Sequence, residues 1–119
     1  MRRAILLLTL LALGGCAYYN GMYNTKKLAG RARKAEREGR TFDATSLWGQ
    51  VGIRAESVLA QHPNSKYADE ARLLQATSMA RLRNCAAAVQ PLELVALTSP
   101  NATFREEATV LLGGCRTQL

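Results

Sequence analysis

Three cysteines, one histidine and a dense run of basic residues are the side chains of this chain with chemistry to offer. A thiol serves as nucleophile, metal ligand or half of a disulfide according to its surroundings. Cys85 and Cys115 form an even pair once Cys16 is set aside, and in an oxidising compartment such a pair reads as a disulfide rather than a metal site. Two buried free thiols filling small-residue positions are the alternative. His62, the only histidine, precedes Pro63 and has only scattered carboxylates as company, so no metal site is expected. No serine lies in a G-x-S-x-G setting. No catalytic constellation can be assembled: the chain is expected to be no enzyme, to need no cofactor and to take no small-molecule substrate.

What Cys16 does depends on the residues before it. Residues 1–15 read MRRAILLLTLLALGG, with Arg2 and Arg3 as a charged head and an apolar run from Ala4 to Leu13. This is the pattern of an export signal. The run is about half of the ~20 apolar residues a spanning helix needs. Leu13-Gly14-Gly15-Cys16 resembles the lipobox of bacterial lipoproteins, an aliphatic residue and two small ones before a cysteine. The resemblance implies that the Cys16 thiol is diacylglycerated, that residues 1–15 are removed, and that residues 16–23 serve as lipidated anchor and linker. Several acyl chains hold a protein firmly on a bilayer, each buried methylene contributing about 0.8 kcal/mol. A stray cysteine in an ordinary secretory signal, or a buried apolar helix, is the competing reading. Ala17 is not the aspartate that retains such lipoproteins in the inner membrane, which leans the expected location towards the outer membrane, facing the periplasm.

The chain carries 16 Lys/Arg against 9 Asp/Glu, a net charge of +7. Residues 26–40, KKLAGRARKAEREGR, concentrate the excess. Lys26, Lys27, Arg31, Arg33 and Lys34 either face anionic lipid head groups close to the anchor or form a solvated helix face partly offset by Glu36 and Glu38. An exported chain seldom meets nucleic acid, so none is expected as a partner despite the charge. Tyr18, Tyr19 and Tyr23 suit a membrane interface and equally suit packing beneath the first helices.

The elements that must position these residues are helices. Ala44, Leu47, Trp48, Val51, Ala55, Val58 and Leu59 fall on one face of a helix over about 41–62. Gly49 and Gly52 soften it by about 1 kcal/mol each relative to Ala. Leu28, Ala32 and Ala35 line a weaker stripe in a helix starting near Asn24 or Thr25 and closed by Gly39. Tyr67, Ala71, Leu74, Ser78 and Leu82 mark a third helix over 66–82, with Asn84 as its stop. Ala88, Leu92, Val95 and Ala96 mark a fourth, kinked or late-starting because Pro91 lacks an N–H. Thr103 and Glu106 have capping-box spacing at the start of a fifth. No segment alternates with period two, so the fold is expected to be all-α.

A shift of 37 residues lays Pro63-Asn64-Ser65-Lys66-Tyr67-Ala68-Asp69-Glu70-Ala71 on Pro100-Asn101-Ala102-Thr103-Phe104-Arg105-Glu106-Glu107-Ala108. Such an internal repeat signals stacked units. Residues 63–88 resemble the tetratricopeptide (TPR) repeat through Pro63, Ser65, Tyr67, Ala68, Ala71, Leu74 and Ala76, with Ala88 at the second small crossing position and Pro100 twelve residues on. Arg83 stands where the family has a turn glycine, and Cys85 where it has a tyrosine. The resemblance covers roughly residues 38–119, the second helix of the first unit being elongated. It implies helical hairpins stacked as a short right-handed solenoid, divided into 24–63, 64–100 and a partial 101–119, behind a signal-peptide helix. Tyr67, Ala71, Leu74, Ala76 and Ala88 would be its packing residues. A lipobox followed by such repeats resembles the lipoproteins of the outer-membrane β-barrel assembly machine and their relatives. The function implied is a membrane-anchored scaffold for a protein or peptide partner in the cell envelope. The alternative is an accessory subunit of an envelope complex, without a groove ligand.

Overall fold

A computed structural model describes residues 2–119, the side chains of residues 10–19 excepted. The side chains of Cys16, Tyr18 and Tyr19 therefore lie outside the described residues. The chain is all-α. Five helices follow one another: α1 (Arg2–Arg37), α2 (Thr41–Gln61), α3 (Ala68–Arg81), α4 (Cys85–Thr98) and α5 (Ala102–Gln118). No described helix is long and apolar enough to cross a membrane.

α1 differs from the expected helix starting near Asn24 or Thr25. It runs unbroken for 36 residues, and residues 16–23, expected as a linker, are helical. No proline separates the apolar residues 4–13 from residues 24–37, and Leu- and Ala-rich sequence favours helix. The core begins earlier than expected as well: Met22 and Thr25 are buried beside Leu28, Ala29, Ala32 and Ala35. Thr25 satisfies its hydroxyl on the Gly21 carbonyl at 2.7 Å. Residues 2–9 are exposed along their length.

Two turns stop their helices by the same device. Gly39 has φ +73°; its N–H donates to Glu36 O at 3.1 Å, and that of Arg40 to Ala35 O at 2.9 Å. This pairing is a Schellman motif, which places a left-handed residue after the helix. After α3 the left-handed residue is Arg83, φ 63°, with Arg83 N–H to Ala80 O at 3.1 Å and Asn84 N–H to Met79 O at 2.8 Å. Asn84, expected to stop α3, instead caps α4 by accepting from Ala87 N–H. Asn101 caps α5, accepting from Phe104 N–H at 3.1 Å. The Thr103–Glu106 capping box does not form, because the helix starts at Ala102 and Thr103 is already inside it. α4 starts at Cys85, not late, and continues through Pro91. The proline leaves the Ala87 carbonyl without its helical donor, at a residue exposed to water.

Consecutive helices pack on one another, and α1 and α5 each also touch α3. The expected stripe of α2 is the one buried, with Leu59 partly so. Two core clusters result. One joins α1, α2 and the Ala71–Leu74 face of α3; the other joins the Leu73–Ala76 face of α3 with Ala88, Leu92 and Val95 of α4 and Ala108 and Leu112 of α5.

The 37-residue repeat reappears as packing. Trp48, Val51, Ala55 and Val58 of α2 correspond to Cys85, Ala88, Leu92 and Val95, the buried residues of α4. α2 has 21 residues against 14 in α4, which places its elongation at the N-terminal end. The contact between hairpins repeats too. Ser78 donates to Trp48 O at 2.6 Å; the corresponding pair is Cys115 and Cys85, whose sulfurs lie at disulfide distance with Cα atoms 5.1 Å apart. Gly52 is needed here rather than merely tolerated. A Cβ on it would lie 2.6 Å from Ser78 Oγ, whereas at Gly49 it would meet nothing.

Candidate functional site

The three odd-numbered helices leave a shared groove. Its upper part, about 370 Å³, is lined by Arg33 of α1, Thr77 and Arg81 of α3, and Glu106, Glu107, Val110 and Leu111 of α5. Its lower part, about 180 Å³, is lined by Lys26, Ala29 and Arg33, by Glu70, Leu73 and Leu74, and by Phe104 and Glu107. Arg33 and Glu107 line both parts, so the two lie side by side along the groove.

The walls carry opposite charge. Lys26 and Arg33 stand on α1, Glu106 and Glu107 on α5. Neither glutamate forms an ion pair among the described residues. The α1 wall is held in place from behind. The Arg33 guanidinium lies 5.6 Å from the centroid of the Trp48 ring, a cation–π arrangement. Trp48 Nε1–H donates to the Glu36 carboxylate, whose other oxygen lies 3.6 Å from the Arg81 guanidinium. Lys26 is anchored to Glu70 of the floor at 3.3 Å. The groove is therefore a slot between walls of opposite charge, over a floor in which Leu73 and Leu74 lie among Glu70, Thr77 and Arg81. Charge separated in this way orients a ligand more than it adds affinity.

Of the residues expected to pack, Ala71, Ala76 and Ala88 are fully buried, Leu74 nearly so, and Tyr67 is packed against the first cluster while partly exposed. The five basic residues do not act as one free surface. Lys26 is paired, Arg33 is half-buried over Trp48, and Lys34 lies 4.0 Å from Glu38. Lys27 and Arg31 remain exposed, with no ion pair among the described residues. His62 is the C-cap residue of α2, and the described residues contain no group of three potential ligands around a metal position. Sequence reasoning missed Arg81, Phe104, Glu106 and Glu107 as groove residues. Nothing in the sequence marks them, because the groove exists only where α1 and α5 both come up against α3.

No known protein family, curated protein or solved structure matches the chain.

Proposed function

We propose that this protein is a lipid-anchored envelope protein whose TPR-like hairpins bind a protein or peptide partner in the groove between α1, α3 and α5. The observation that carries the reading is the order of contacts. α1, α3 and α5 meet on one side, while α2 and α4 pack only on their sequence neighbours. Such an order supports a stacked-hairpin array, in which each unit buries its apolar face on the next and one layer of helices faces the ligand. The repeated α2 and α4 packing supports the same reading, as do the leader and lipobox for export and anchoring. A helical or extended segment with an apolar edge and opposite charges on its two sides fits the slot.

One observation favours the second reading, an accessory subunit of an envelope complex. Ala76 and Thr77 of α3 are buried, but the corresponding Gly113 and Gly114 of α5, outside the groove lining, are exposed. A co-subunit would cover that face. Photoreactive residues introduced in cells at Glu107 and at Gly113 of the full chain separate the two. Adducts at position 107 are expected for a groove ligand. Adducts confined to position 113 would overturn the scaffold reading in favour of the accessory one.

A further inference from the structure

α1 enters the bundle at one end, and that end has its own chemistry. Tyr23, Lys26 and Lys27 of α1 and Tyr67, just before α3, surround a cavity of about 400 Å³ over Met22. Lys66 stands beside the cavity rather than in its lining, its Nζ 5.0 Å from the centroid of the Tyr67 ring. Met22 closes the floor at 2% exposure, and Tyr23 stands 56% exposed on the rim. The nearby acids are already engaged: Glu70 with Lys26 and Asp69 with Arg72, both at 3.3 Å. Lys27 and Lys66 form no ion pair among the described residues. The end is thus an open, basic cup with aromatic walls.

We propose that this cup is a bilayer-contacting surface that takes the headgroups of anionic phospholipids, with Lys27 and Lys66 as its charge contacts and Tyr23 and Tyr67 at the interface. The proposal rests on the reading of Cys16 as a lipid anchor. Distance decides in its favour. Unbroken helix advances 1.5 Å per residue, so Tyr23 stands about 10 Å and Lys27 about 16 Å along α1 from Cys16. The headgroup layer is about 5–7 Å deep on each side, and an anionic surface is felt for about 8 Å beyond it at physiological salt. Tyr23 therefore falls just beyond the layer and Lys27 at the outer limit of its field, and a tilt of α1 lowers both. Lowered into the layer by that tilt, the exposed ring of Tyr23 would sit at headgroup level, where tyrosines are enriched. Each lysine near an anionic leaflet favours contact about fivefold.

The four lysines, Lys26, Lys27, Lys34 and Lys66, provide the test. The purified lipidated protein is reconstituted on vesicles of phosphatidylcholine alone or with one third phosphatidylglycerol, and labelled with an amine-reactive reagent. Flotation with neutral vesicles reports the anchor; mass spectrometry reports each lysine. Lys27 and Lys66 are expected to label about fivefold less on the anionic vesicles, with Lys34, about two turns further along α1, unchanged. Loss of flotation on neutral vesicles overturns the anchor and this inference together. Flotation with equal labelling of Lys27 and Lys66 on both vesicles overturns this inference alone.

Discussion

Replacing Arg83 by glycine should stabilise the protein. Arg83 is the left-handed residue after α3, with φ 63°, and it closes the same pair of hydrogen bonds that Gly39 closes after α1. An L-residue in that conformation carries a penalty of about 1–2 kcal/mol from Cβ crowding against the carbonyl. Glycine removes the penalty but gives back about 0.5–1 kcal/mol through the greater freedom of the unfolded chain. The Arg83 side chain is exposed and forms no ion pair among the described residues, so little else is lost. The balance is a gain of about 0.5–1 kcal/mol, a rise in melting temperature of about 3–6 °C for a domain of this size. Gly39→Ala is the mirror experiment. Its Cβ would meet nothing within 4 Å, so the expected loss of about 1 kcal/mol is purely a backbone effect. Urea and thermal unfolding followed by helical circular dichroism measure both. An Arg83→Gly variant no more stable than the parent, beside a Gly39→Ala variant that is clearly weakened, would refute the claim that the two turns are equivalent.

Three other perturbations probe separate links of the argument. Cys85 and Cys115 should show no alkylatable thiol in the native exported protein, and replacing both by serine should cost about 3–4 kcal/mol, the chain-entropy value for a loop of this length; unfolding with and without reductant checks it. Cys16→Ser should abolish labelling by a fatty-acid analogue and leave the leader attached, as read by mass. Gly52→Ala should destabilise by about 1–3 kcal/mol by forcing Ser78 off Trp48 O and leaving a buried polar group unpaired, and a double-mutant cycle with Ser78→Ala should recover part of that loss, since the crowded hydroxyl is then gone.

The helices were legible wherever an apolar stripe recurred at helical spacing. α2 is the clearest case: Trp48, Val51, Ala55 and Val58 each face the core as their spacing indicates. The start of α1 was not legible, because a break between leader and hairpin was inferred from processing, not from any helix-stopping residue. The cap of α5 was misplaced because Thr103 and Glu106 satisfy the capping-box spacing while Asn101, two residues earlier, does the capping. Gly52 was read as a weakness because a sequence does not show which glycine meets a neighbouring helix. The groove was invisible for a related reason. Arg33, Arg81 and Glu107 are ordinary charged residues along the chain, and only the meeting of three helices makes them opposite walls.

Leu73 and Leu74 are adjacent in the chain yet point into different clusters. α3 is thereby a shared wall, and the one helix on which both halves of the interior depend. Loosening it would open two interiors at once, which discourages half-unfolded states in which one hairpin melts while its neighbour survives. A perturbation of α1 accordingly has a direct mechanical route to α5, through a single helix that ends two residues before the left-handed joint at Arg83.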